Sequence, residues 1–167
     1  MKRLIAICCL VAGLCTACQT DTLYHRYRST GPYGWDSSDT LEFRLPSALC
    51  KNRYRLDIGI RHTECYPYRD LWISILHPAR PQAVDTLHIW LADSAGHWQG
   101  HGLSGSSCQY VSGEHSLVLA ANDSVLRIVH LMSRKHLPGL TDVGLRLSAF
   151  PPRVDSQKDK QQDGETP

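Results

Sequence analysis

Arg53-Tyr54-Arg55-Leu56-Asp57-Ile58-Gly59-Ile60-Arg61-His62 reads as one extended strand. Successive side chains of a strand point to opposite faces, so Tyr54, Leu56, Ile58 and Ile60 share one side and Arg53, Arg55, Asp57 and Arg61 the other. A helical turn would scatter the same apolar residues around its circumference. Outward from this stretch the alternation repeats. Leu41, Phe43 and Leu45 oppose Glu42 and Arg44 within 39–45, and further strands are expected at 71–77, 84–91, 116–121, 125–132 and 142–150, with an early one around 23–28. Tyr66-Pro67-Tyr68, Pro78 with Pro81, Asp93-Ser94-Ala95-Gly96, Asn122-Asp123-Ser124 and Leu137-Pro138-Gly139 supply the turns between them. Seven to eight short strands at this spacing predict an all-β fold. The expected architecture is a single antiparallel β-sandwich, Ig-like or jelly-roll-like, with one solvated face per sheet.

The ends of the chain carry different information. Lys2 and Arg3 precede an apolar run from Leu4 to Leu14, and Cys15-Thr16-Ala17 place small residues directly ahead of Cys18. This is the pattern of a lipoprotein signal over 1–17, too short to span a bilayer as a mature helix, with lipid attached at Cys18 after cleavage. A linker at 18–22 then leads into a domain at 23–150. The last stretch, 151–167, holds one aliphatic residue, Val154, and is expected to be a disordered tail.

Of the 18 Lys and Arg residues, Lys2 and Arg3 fall in the signal, and none of the 16 Asp and Glu residues does, so the mature chain carries 16 of each sign. A neutral domain with only short basic clusters argues against nucleic acid as a partner.

The mature chain keeps Cys50, Cys65 and Cys108 besides Cys18. Cys50 and Cys65 flank the clearest strand, too far apart for a bridge that needs Cα atoms within about 7 Å. If consecutive strands run as a meander, Cys108 returns nearer the Cys50 end. The one pairing expected is therefore Cys50–Cys108, against the alternative of three separate thiols.

Catalytic and metal signatures are weak. His97 and His101 stand four apart on a glycine-rich stretch without helix, and no Cys-x-x-Cys or His-Glu-x-x-His pattern accompanies them. Ser104, in Gly102-Leu103-Ser104-Gly105, lacks the Gly-x-Ser-x-Gly spacing and reads as part of a flexible loop. Glu42, Asp57, Glu64 and Asp70 alternate outward or sit in turns, and His62 continues the inward series of its strand as a core histidine. No catalytic residue, metal site or cofactor is predicted. Recognition is the expected activity, through Arg61, Tyr66, Tyr68, Arg69 and Trp72, residue types favoured in protein–protein hot spots; the alternative is that the tyrosines brace their turn and Trp72 packs against a neighbour. Trp35, Trp90 and Trp98 read either as rim aromatics or as core. A glycan-binding sandwich is the alternative, although no regular aromatic platform is visible in the sequence. Asp followed by Thr or Ser and a small apolar residue recurs at Asp21, Asp39, Asp85, Asp93 and Asp123, a pattern resembling a bacterial O-glycan acceptor and also ordinary at strand starts.

Ordered motifs carry a family resemblance. Gly34-Trp35-Asp36 runs into Asp39-Thr40-Leu41-Glu42-Phe43. Ile58-Gly59-Ile60-Arg61-His62-Thr63 is followed by Tyr66-Pro67-Tyr68-Arg69-Asp70-Leu71-Trp72. Leu91-Ala92-Asp93 leads through Gly96, Trp98, Gly100 and Gly102, and Leu137-Pro138-Gly139-Leu140-Thr141-Asp142-Val143-Gly144-Leu145-Arg146 closes the set. In this order, behind a lipoprotein signal and Tyr24-His25, they resemble the gliding-motility lipoprotein GldH family of Bacteroidota, from about Leu23 to Ala149. The stretch between Glu114 and Met132 departs from that family's usual look. The resemblance implies a non-enzymatic accessory lipoprotein of the gliding machinery and the linked type IX secretion apparatus. Its implied partners are other envelope proteins of that apparatus and the membrane itself, through lipid at Cys18. Gln19-Thr20-Asp21 follows the anchor without an acidic run, so the expected place in the cell envelope is the periplasmic face of the outer membrane.

Overall fold

The computed structural model describes residues 21–49, 52–100, 102, 106–111 and 115–150, with the backbone alone for 106–111. The signal segment, Cys18 and the tail lie outside this set. Among the described residues the strands are β1 (Thr22–Ser29), β2 (Trp35–Asp36), β3 (Leu41–Arg44), β4 (Arg53–Thr63), β5 (Asp70–Leu76), β6 (Val84–Trp90), β7 (Ser106–Val111), β8 (Ser116–Val118), β9 (Val125–His130), β10 (His136–Leu137) and β11 (Leu140–Ala149). A 3-10 turn, Ser47–Leu49, precedes β4.

All pairings are antiparallel, and they form two sheets packed face to face. The first runs β1-β11-β4-β7, with β8 continuing the β7 edge along β4; the second runs β3-β9-β5-β6; β2 and β10 make a small separate ribbon. Only β5 and β6 are joined as neighbouring strands within a main sheet. Elsewhere the chain crosses from one sheet to the other at almost every connection. With β7 and β8 taken as one interrupted edge, this is the double-sheet jelly roll. The expected sandwich is therefore present, but its connectivity is not a meander.

That difference changes the cysteine geometry. The Cys108 backbone pairs with Arg61, near the Cys65 end of β4, and not near the Cys50 end. Cys50 and the Cys108 side chain lie outside the described residues, so the expected Cys50–Cys108 bridge is not placed. Cys65 is a free, exposed thiol.

Alternation explains the core. Tyr54, Leu56, Ile58 and Ile60 of β4 and Val143, Leu145 and Leu147 of β11 turn inward from the first sheet. Leu71, Ile73 and Ile75 of β5, Leu87 and Ile89 of β6, Leu126 and Ile128 of β9 and Leu41 and Phe43 of β3 meet them from the second. Each such side chain contributes about 1.5–3 kcal/mol by leaving water. Trp35 is also fully buried; its indole N–H donates to the Asp39 carbonyl at 2.9 Å, and its ring meets His130 edge-on at 5.3 Å.

Three local expectations are corrected. The stretch read as a flexible loop around Ser104 becomes β7 from Ser106 onward, while Ser104 itself lies outside the described residues. Asp57, expected on a solvated face, is completely buried, because Arg146 on the neighbouring strand β11 lies over it and its Nε donates to Asp57 Oδ2 at 2.9 Å. Tyr66, read both as a recognition residue and as a brace of its turn, belongs to the core, which removes it from the recognition set.

Candidate functional site: an aromatic strip on the second sheet

The hairpin register sets Asp70 opposite Trp90 and Trp72 opposite His88. Because Leu71, Ile73, Leu87 and Ile89 face inward, the alternate residues Trp72, His88 and Trp90 all face outward. The Trp72 and His88 rings stack at 4.1 Å with 9° between their planes, and His88 meets Trp90 at 4.5 Å and 53°. His88 Nε2 donates to Asp70 Oδ2 at 2.7 Å, which fixes the imidazole between the two indoles. Both indoles stay open to solvent, Trp72 at 41% and Trp90 at 50% exposure, and Leu131 beside β5 is exposed as well. The sequence showed no regular aromatic platform; the pairing of β5 with β6 builds one.

Beside the strip lies an open hollow of about 510 Å³, lined by Arg69, Trp90, Ala92, Asp93, Ser94 and Gln99. The Arg69 guanidinium sits 6.0 Å from the centre of the Trp90 ring, and its Nη1 donates to the Ser94 carbonyl at 3.4 Å. The Asp93 carboxylate closes the expected 93–96 turn. Its Oδ1 accepts the Ala95 and His97 amides, and the His97 amide leads the interactions that hold its pKa below the usual carboxylate range. Gly96 completes the turn with φ of +90°.

The motifs that carry the family resemblance lie behind this surface and hold it in place. Tyr66 O–H donates to the Asp70 carbonyl at 2.8 Å at the root of β5. Burial pushes the Tyr66 phenol well above its ordinary pKa, so it remains a donor. His62 packs between Trp98, at 4.3 Å, and Tyr66, at 6.0 Å, and burial lowers its pKa against the opposing pull of the Thr63 carbonyl. The Arg69 carbonyl accepts the amides of Leu91 and Ala92, which ties the end of β6 to the start of β5. Gly139, with φ of +82°, lies so close to the Tyr66 backbone that any Cβ would collide with it. Gly34, with φ of +112°, lies equally close to the Leu137 carbonyl. These are positions where only glycine fits without strain.

The expected recognition residues therefore divide. Arg69 and Trp72 stand together on the strip. Tyr68 is partly buried, packed edge-on to Tyr66 at 5.8 Å, and Tyr66 supports the strip from inside. Arg61 lies on the outer face of the other sheet, its guanidinium 4.1 Å from the centre of the Tyr27 ring. Sequence reasoning missed His88 and left Trp90 undecided. Both occupy outward positions of an alternating strand, which was the available signal.

Elsewhere, Asp123 is a buried carboxylate. Burial opposes its ionisation, but Arg80, at 2.6 Å and 3.1 Å, and the Ala120 amide outweigh that and lower its pKa. Arg80 also donates to His77 Nδ1 at 3.0 Å, and His77 Nε2 donates to Asp85 at 3.0 Å. This network pins the β5–β6 loop to the β8–β9 turn. Among the described residues no three His, Cys, Asp or Glu side chains gather as a metal cage, and no helix is long and apolar enough to cross a membrane.

Fold and surface together define an all-β jelly-roll sandwich that displays a rigid aromatic strip on one outer face. A profile of the GldH lipoprotein family matches residues 22–147, the whole of that sandwich but the last two residues of β11. The chain belongs to the GldH lipoprotein family. It is 26% identical over 146 residues to the gliding motility lipoprotein GldH of Flavobacterium johnsoniae, covering 83% of this chain and 91% of that one. Among solved structures it aligns with tomato aspermy virus at a TM-score of 0.34 and 7% identity, over 94% of this chain and 99% of that one. It aligns with the tobacco streak virus coat protein at 0.26 and 11%, over 84% and 95%. Scores this low carry no argument about function.

Proposed function

We propose that this protein is a non-enzymatic, lipid-anchored component of the gliding apparatus and of the type IX secretion linked to it. It holds other envelope proteins on the Trp72–His88–Trp90 strip. Family membership supports the gliding role, and the lipoprotein signal ending at Cys18 supports the anchor. The observation that carries the binding role is the pair of half-exposed indoles locked by His88 and Asp70 on a flat sheet face. Large rigid aromatics held open to water, with an arginine beside them, have the composition of a protein-binding hot spot.

The geometry also separates tether from strip. β4 is 11 residues long and spans roughly 33 Å at about 3.3 Å per residue. Its Arg53 end lies beside the start of β1 and the end of β11, and its Thr63 end lies beside Gly139 and Tyr66, under Asp70. A chain lipidated at Cys18 therefore directs the strip away from the bilayer that holds it. The periplasmic face of the outer membrane is the proposed location.

Complementation of a deletion strain tests the reading. Wild type should restore colony spreading and export of secreted cargo, whereas Cys18→Ala and the Trp72→Ala, Trp90→Ala double variant should restore neither. A double variant that is folded, abundant and fully active refutes the strip as the working surface. Oligosaccharide binding that disappears in Trp90→Ala would move the assignment to a glycan-binding lipoprotein.

A further inference from the structure

The opposite end of the molecule carries a second unpartnered surface, on the outer face of the first sheet. Leu23 of β1, Val118 of β8 and Phe150 just beyond β11 are 51%, 49% and 40% exposed. They are distant in sequence, yet the strand order brings them to one rim. Val118 pairs with Arg53, and the Arg53 guanidinium lies 5.8 Å from the centre of the Phe150 ring. The Ala149 amide donates to the Asp21 carbonyl at 3.0 Å, which places Phe150 beside the root of β1, with Leu23 two residues further along that strand. The result is an apolar strip across β1, β11, β4 and β8, with a cation at its centre. Exposed apolar surface gathered in one place marks an interaction site.

The occupant follows from the tether. Asp21, where the described domain begins, is three residues after Cys18, and three residues reach at most about 11 Å. A lipid at Cys18 therefore holds this rim, and no other part of the sandwich, at the bilayer surface. We propose that Leu23, Val118 and Phe150 insert into the headgroup region of the membrane while Arg53 meets lipid phosphate. Apolar side chains flanked by a snorkelling arginine suit that interface. The lipid and the rim then act as two attachments, which fix the tilt of the domain where a single flexible tether would let it swing. This inference rests on lipidation at Cys18.

Brominated lipid supplies the test, because bromine quenches tryptophan only at close range. Trp35, Trp72, Trp90 and Trp98 all lie toward the Gly139 end, so native emission should be unaffected when the full lipidated chain is placed in vesicles of mixed zwitterionic and anionic phospholipid. Val118→Trp and Phe150→Trp should each add a component that brominated vesicles quench. Adding Leu23→Glu and Arg53→Glu to Phe150→Trp should abolish that quenching while the protein stays on the vesicles. Introduced tryptophans that remain bright, whether in water or covered by a second chain, overturn the rim. A chain that does not float with vesicles at all overturns the tether, a separate failure that removes the rim with it.

Discussion

Away from the Arg53 rim, the outer faces of the two sheets are built from the same alternating pattern and end in opposite conditions. On the first sheet the outward positions of β4 and β11 neutralise one another. Asp57 is buried under Arg146, Gly59 lies opposite Gly144, and the Tyr27 ring fills the space a side chain at Gly144 would occupy, with Arg61 above it. On the second sheet the outward positions of β5 and β6 hold two indoles open to water and keep them rigid. An alternating strand fixes which residues face out. Whether those residues are covered depends on what the neighbouring strand presents.

The comparison can be broken most severely from beneath. Phe43→Ala leaves a cavity in the shared core and should cost about 3–5 kcal/mol, read as a drop in the urea midpoint. Asp57→Ala on the first sheet strips a buried partner from Arg146 and should cost roughly 1–3 kcal/mol without weakening partner capture. Trp90→Ala on the second sheet should do the reverse. Its stability should stay within about 0.5 kcal/mol of wild type, while crosslinking to envelope partners is lost. A Trp90→Ala protein as destabilised as Asp57→Ala would show that the strip is a structural brace.

A gentler probe is pH. Burial lowers the pKa of both His62 and His130 in the folded protein. The unfolded chain takes up protons on these residues near pH of about 6.5, before the folded chain does. Stability is thus fully present above that value and declines as pH falls toward the depressed folded values. The urea midpoint should be lower at acidic than at neutral pH, with a weaker dependence in His62→Gln. The smallest effect belongs to Cys65, which should react with iodoacetamide in the native protein, with Cys65→Ser leaving the melting temperature unchanged.

Much of the fold was legible because burial on one face imposes period-two spacing. β4, β5, β6, β9 and β11 were each visible in that way, and the inward series of β4 extends to His62 as expected. β7 was not, since Ser106, Ser107 and Gln109 carry no apolar alternation strong enough to outweigh the glycine and serine before them. The burial of Asp57 was not legible either, because its cover comes from Arg146, 89 residues away. In the candidate site, Trp72 and Arg69 were read as surface groups and stand there. Tyr66 was read both as a recognition residue and as a brace of its proline-flanked turn, and its phenol turns inward to brace that turn.

By itself the sequence determined the strand content, the apolar faces, the turns that end in Gly96 and Gly139, and the motif order that marks the family. These are local properties, fixed by side-chain alternation and by backbone angles that few residues tolerate. Only the tertiary structure decided the jelly-roll order, the end-to-end separation of tether and strip, and the meeting of Trp72, His88 and Trp90. Each of these depends on strand register and on which sheet a strand joins, and both are set by packing between residues far apart along the chain.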